Sequence, residues 1–214
     1  MQSLEFKTRM TAESAINAFV EVVKSTSFIE WIAILTALIY VALAAKENSW
    51  CWIFGIISSG LYISINFSIK LYLDAWLSLY YCVIGVYGWY AWVKKFPDKR
   101  QGRSLRNITL REFCISILIG VAGTFLLGVL SEKFTDSPLP YFDAALTSFS
   151  LVATFLTTQK ILENWIFWIV IDAAFIIIYW NRTLPFTAIL FLIYTFVAAY
   201  GYFKWRKKLK SFAA

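Results

Sequence analysis

The chain is predicted to be an all-α polytopic membrane protein of seven spans, built as two parallel three-helix repeats joined by a linker helix. Three observations predict this. Of 214 residues, 60% are hydrophobic and only 15% charged, more apolar surface than a soluble core can hide. The apolar residues gather into seven runs, near 28–45, 50–66, 75–93, 113–130, 142–158, 165–179 and 186–203. The sequence also matches itself at an offset of 113 residues, without a gap, from position 28 to 95.

That register carries residues that rarely coincide. Trp52-Ile53-Phe54 falls on Trp165-Ile166-Phe167, Tyr81 on Tyr194, Tyr87-Gly88 on Tyr200-Gly201 and Trp92 on Trp205. Lys94-Lys95 falls on Lys207-Lys208, and the acidic Glu30 on Asp143. Membrane proteins made of repeated bundles place their working site where the copies meet. The organisation expected is therefore a first repeat at 28–95 and a second at 141–208. Between them, 96–140 holds a basic loop, the linker helix and an outer loop, and 209–214 is a tail.

Each segment can be justified in turn. Residues 1–27 precede the first run; Ala15, Phe19, Val22 and Val23 recur at helical spacing between Glu13, Asn17, Glu21 and Lys24. This reads as an amphipathic helix lying on the membrane or the bundle, and no cleavable signal is expected there. Several runs have about 15–18 residues, fewer than the ~20 a 30 Å hydrocarbon core needs, which suggests packing inside a bundle or a thin bilayer. When loops are assigned alternately, the side with the 3–4 loop and the C-terminus collects 14 of the 20 Lys and Arg residues. The positive-inside bias then sets the N-terminus outside and the C-terminus in the cytoplasm. One linker span between two three-span units makes the units parallel, related by an axis along the membrane normal. The charged stretch 94–106 has a single aromatic, Phe96, and no pattern of interleaved ones; it reads as a topology signal, so no nucleic-acid partner is expected.

Segment 6 carries the sharpest chemical signal. Trp165, Trp168 and Asp172 are spaced three then four apart and share one helical face. Asp172 lies about 10 Å into the span at 1.5 Å per residue. An ionised carboxylate there costs at least about 2.5 kcal/mol, so it should face water or a cation. Indoles beside it would make a cage for an organic cation; the alternative is a hydrogen-bonded Asp that glues helices. Segment 2 offers Trp52, Ser59, Tyr62 and Asn66, with Ser59 the register partner of Asp172. Equivalent positions thus carry a neutral and a charged polar group, suiting a substrate charged at one end. Gly55 and Gly60, with Ser58 and Ser59, also read as close-packing positions. Tyr81 and Tyr194 are deep and equivalent, and a buried phenol needs a partner in substrate or in another helix. Trp89 to Trp92 and Tyr202 to Trp205 read as interfacial belt residues. The threonines of segment 5 can bond back to their own helix, and Gln159 stands at that helix's end. Cys51, Cys82 and Cys114 read as small buried hydrophobes. Histidine is absent and there is no P-loop, so no enzyme, no metal site and no cofactor are expected.

These residues resemble the PnuC family of bacterial vitamin transporters. The resemblance spans about 28–208 and rests on five features: the Trp165, Trp168, Asp172 run; Trp52 in the matching helix; the LYLDAW stretch around Asp74; Tyr87-Gly88; and Tyr200-Gly201. It implies a SWEET-like fold with a different helix order, a homotrimer and location in the bacterial inner membrane. It implies transport of nicotinamide riboside (vitamin B3) by facilitated diffusion, feeding NAD biosynthesis, with a cytoplasmic kinase that phosphorylates and traps the riboside. By resemblance, Trp52, Asn66, Gln159, Trp165, Trp168 and Asp172 are expected at the substrate, with Tyr62, Tyr81, Asn181 and Tyr194, and Ser59 as the counterpart of Asp172. Thiamine or riboflavin transport, a SWEET-like sugar carrier and a non-transporting scaffold are the alternatives.

Overall fold

The computed structural model describes residues 20, 24, 26–68, 72–95, 105–135, 137–181 and 185–213. Among them are seven helices: α1 (Phe28–Ala45), α2 (Cys51–Ser68), α3 (Tyr72–Tyr90), α4 (Leu110–Phe134), α5 (Pro140–Thr158), α6 (Asn164–Asn181) and α7 (Pro185–Ala213). A π-helical turn, Ala91–Lys95, prolongs α3. Each helix covers one of the seven apolar runs. Of the amphipathic segment expected before them, only Val20 and Lys24 are described, both exposed; the rest lies outside the described residues.

The helix starts follow from local chemistry. Ser27 and Glu30 form a capping box on α1: the Ser27 amide donates to Glu30 at 2.7 Å and the Glu30 amide to Ser27 Oγ at 3.2 Å. Thr109 and Glu112 repeat the device on α4, and Arg106 grips the Glu112 carboxylate with two 2.7 Å hydrogen bonds. Pro140 opens α5 with Asp143 in its first turn, where an acid complements the helix dipole. The coincidence of Glu30 and Asp143 across the repeat is thus a helix-entry feature.

Five helices contain stretches long and apolar enough to cross a membrane: Phe28–Ala45, Cys51–Ser68, Leu110–Phe134, Asn164–Asn181 and Thr187–Ser211. The more polar α5 packs against three neighbours, α3, α4 and α6. That cover hides Ser148, Ser150, Thr154, Thr157 and Thr158. The protein is a polytopic membrane protein.

Packing follows a ring. α1 packs on α2, α2 on α3, α3 on α5, α5 on α6, α6 on α7, and α7 back on α1. α4 stands outside this ring against α5. Exchanging α1, α2, α3 with α5, α6, α7 maps every ring contact onto another, as an approximate two-fold requires. Within each repeat the helices stand in chain order, with α2 and α6 in the middle.

The loops repeat hydrogen bond by hydrogen bond. The Glu47 amide donates to the Ala44 carbonyl at 2.9 Å, as Lys160 does to Thr157 at 3.0 Å. Asn48 bonds Leu43 at 3.0 Å, as Ile161 bonds Leu156 at 3.2 Å. Glu47 and Lys160 both turn through the left-handed region, at φ 54° and 52°, a conformation that ends a helix sharply.

Four indoles join the repeats at this end. Trp52 meets Trp92 edge-on at 5.5 Å, Trp92 meets Trp205 at 6.1 Å, and Trp205 meets Trp165 edge-on at 5.3 Å. Gly88 and Gly201 let the helices close on them: a Cβ would fall 2.5 Å from the Trp52 indole and 2.7 Å from the Trp165 indole. Trp92 and Trp205 are 4% and 0% exposed, which corrects the expectation of a belt position for them. Trp89, Tyr90 and Phe203, from the same stretches, are exposed. Charged side chains also cross between repeats here: Lys208 Nζ lies 2.8 Å from both Glu47 carboxylate oxygens, and Lys160 Nζ sits 4.8 Å above Trp92. We call this the basic end of the ring. Cys51 is buried as expected, but Cys114 is exposed on α4, where bilayer, not protein, can cover it.

Candidate functional site

A cavity of about 380 Å³ lies inside the ring, with walls from all six ring helices. Its floor is the indole pair Trp52 and Trp165, resting on Trp92 and Trp205 at the basic end. Above the floor the register partners continue to face each other. Val41 and Thr154, Ala44 and Thr157, Gly85 and Ala198, and Tyr81 and Tyr194 all line it. So do two unlike pairs, Gly55 with Trp168 and Ser59 with Asp172.

Asp172 is the only charged residue among the described residues of the lining. It is 4% exposed, and among the described residues none hydrogen-bonds its carboxylate. A helix-gluing aspartate would show such a partner on the neighbouring helix. What Asp172 meets is the cavity, so its charge awaits a cation or water. Trp168, one turn away, packs its rim against the apolar clusters beside α7 and α5.

Hydroxyls in the walls divide into two groups. Thr154 Oγ1 donates to the Ser150 carbonyl at 2.8 Å, and Thr157 Oγ1 to Ala153 at 2.9 Å and Asn164 Oδ1 at 3.0 Å. These bond back to their own helix or its neighbour, as threonines in apolar helices do. Ser58 donates across to the Ala33 carbonyl at 2.9 Å and ties α2 to α1. Ser59 makes no such bond among the described residues and stands with Tyr62 in the wall of the first repeat.

Eight of the residues singled out from sequence thus come together: Trp52, Ser59, Tyr62, Tyr81, Trp165, Trp168, Asp172 and Tyr194. Three stand elsewhere. Asn66 donates to Ser78 Oγ at 3.4 Å near the far end of α2. Gln159 closes α5 at the basic end and donates to the Tyr87 hydroxyl at 3.0 Å. Asn181 is the exposed last residue of α6. The structure adds Tyr40 and Phe191 to the lining. Ala37, Tyr40, Val41 and Ala44 form one helical stripe, which was readable only as a run of small residues around one phenol. Phe191 continues an aromatic stack through Phe175, 4.5 Å between centroids, and Tyr179, 5.4 Å.

A ring of apolar helices around a ligand-sized chamber, with one acid turned inward, defines a membrane transporter. A family model described as nicotinamide mononucleotide transporter matches residues 27–207. The chain belongs to that family, whose members are membrane transporters and not enzymes. It is 25% identical over 204 residues to the nicotinamide riboside transporter PnuC of Escherichia coli strain K12, covering 84% of this chain and 85% of that protein. The PnuC protein of Neisseria mucosa is 26% identical over 207 residues, 91% of this chain and 78% of the relative. The riboflavin/roseoflavin transporter RibM of Streptomyces davaonensis is 24% identical over 173 residues, 80% of this chain and 81% of that protein. In fold, the chain superposes on the crystal structure of the vitamin B3 transporter PnuC with a TM-score of 0.70 at 24% identity, covering 92% of this chain and 88% of that one.

Proposed function

We propose that this protein carries nicotinamide riboside across the bacterial inner membrane, with the riboside held between the two repeats. The observation that carries the proposal is the charge pattern of the cavity: one carboxylate, seven tyrosine or tryptophan rings, and no Lys or Arg among the described residues of the lining. Nicotinamide riboside is a flat cationic ring on a polyhydroxyl sugar. Indole and phenol faces suit the ring, Asp172 suits its charge, and Ser59 and Tyr62 suit hydroxyls. Residues of the substrate site are, on this reading, Trp52, Ser59, Tyr62, Tyr81, Trp165, Trp168, Asp172 and Tyr194.

The same pattern distinguishes riboside from mononucleotide. A phosphate would add up to two negative charges to a chamber that already holds Asp172 and offers no cation among its described residues. Like charges at that distance repel strongly in a low-dielectric site. This supports one-way uptake in which a cytoplasmic kinase converts the riboside into a product the chamber rejects. A single inward acid suits facilitated diffusion better than a proton relay, which strings several such groups together. The basic end faces the cytoplasm on this reading, the placement favoured by the positive-inside bias. Three such chains form a homotrimer, with lipid covering the remaining apolar surface.

Tryptophan fluorescence of the purified protein, titrated with nicotinamide riboside, nicotinamide, nicotinamide mononucleotide and thiamine, tests the substrate. The riboside should quench most strongly and the mononucleotide should bind far more weakly. Equal binding of riboside and mononucleotide, or none of the riboside, overturns the reading. Riboflavin is the second reading, favoured by the likeness to RibM; it is neutral and would leave Asp172 without a counter-charge.

A further inference from the structure

We propose that Gly55 and Tyr40 form a size-selecting wall that fixes which cargo the first repeat admits. The proposal rests on the cavity being the substrate site. Position 55 is the register partner of Trp168, and both line the cavity. A chamber with strict two-fold symmetry would carry an indole on each side. Here one side has Trp168 and the other has no side chain at all. The space is taken by a residue from a different helix. A Cβ on Gly55 would meet the Tyr40 ring at 3.0 Å (Cδ2), 3.4 Å (Cε2) and 3.5 Å (Cγ), so the phenol lies flat on the bare backbone of α2.

Tyr40 is held there from its other side by Trp52, 5.7 Å between centroids at 59°. Its ring is therefore clamped between the α2 backbone and the floor, and its inner edge faces the chamber. Because the backbone behind the ring cannot retreat, any side chain at position 55 moves the ring inward. Removing the ring opens a space as large as a phenol beside Ser59. Gly55 thus sets the depth of this wall and Tyr40 its surface. Trp168 and Asp172 stand across from it, so the wall limits the uncharged end of the cargo and leaves the charged end untouched. The cargo class that fits is a cationic ring bearing a substituent no broader than a pentose.

The test compares wild-type protein with Gly55→Ala, Gly55→Val and Tyr40→Ala, titrated with nicotinamide riboside, nicotinamide, thiamine and riboflavin by tryptophan fluorescence. Thermal unfolding in the same detergent checks that each variant folds. Wild type should bind the riboside and exclude riboflavin. Gly55→Ala and Gly55→Val should weaken the riboside progressively while sparing free nicotinamide, because the displaced ring occupies only the sugar's space. Tyr40→Ala should improve riboflavin relative to the riboside by roughly tenfold, the scale on which pocket volume discriminates. Gly55→Ala supplies the answer if the larger substitutions do not fold. If folded variants change all ligands by the same factor, the wall is not selective and the inference fails while the site stands. If wild type binds none of the cationic ligands, the substrate reading itself fails, and this inference with it.

Discussion

The two repeats agree where they hold each other and differ at chosen positions of the cavity wall. At the basic end, Gly88 against Trp52 and Trp92 against Trp52 are matched by Gly201 against Trp165 and Trp205 against Trp165, with near-equal distances. Inside, Ser59 faces Asp172 and Gly55 faces Trp168. The difference teaches that duplicated residues build the scaffold and the shared walls of the cavity, Trp52 with Trp165 and Tyr81 with Tyr194, while diverged ones make the two sides of that cavity unlike. Packing constraints act equally on both copies, whereas a substrate with unlike ends needs unlike walls. That division makes the molecule separable by mutation.

Asp172→Asn should have the largest effect on binding. Losing one partner of a desolvated charge pair costs about 2–5 kcal/mol, so fluorescence titration should find riboside affinity nearly abolished with folding intact. Ser59→Ala, at the equivalent position, should change affinity by only a few-fold; equal losses at the two sites would undo the comparison. Gly88→Ala and Gly201→Ala should each destabilise the protein by about 1–3 kcal/mol through overpacking. Thermal unfolding in detergent should show both shifts to be alike, since each glycine faces the equivalent indole of its own repeat. Trp168→Ala should weaken the riboside by about 1–2 kcal/mol if the cationic ring stacks there. Smallest of all, Glu47→Gln should cost under about 1 kcal/mol, because Lys208 is partly solvated. Its readout is the rate at which a maleimide reaches the Cys51 thiol, in a background lacking Cys82 and Cys114. That rate should rise if the pair helps keep the basic end shut.

Much of the fold was legible because a membrane span announces itself by composition and a repeat by coincidence of rare residues. The seven helices and the register of 113 residues came directly from these signals. Asp172 was legible because charge is so unfavourable inside a bilayer that it must have a purpose. What stayed hidden was direction. A helix that is apolar all round gives no sign of which face meets lipid and which meets protein. Trp92 and Trp205 therefore looked like interface residues, although both are in the core. Tyr40 drew no notice for the same reason. Asn66, Gln159 and Asn181 were polar groups near helix ends, where side chains of α3 satisfy the first two and exposure the third without any cavity. The packing of α5, covered on three sides, explains a polarity that sequence could only describe as a stripe.

Opposite charges at the two left-handed corners, Glu47 and Lys160, carry an evolutionary consequence. A tandem of two first repeats would set glutamate at both corners and leave the chamber with no counter-ion for a cation. A tandem of two second repeats would crowd a pair of Trp168 indoles and a pair of carboxylates into space shaped for one of each. The two halves are therefore complementary: neither, paired with a second copy of itself, would rebuild this chamber.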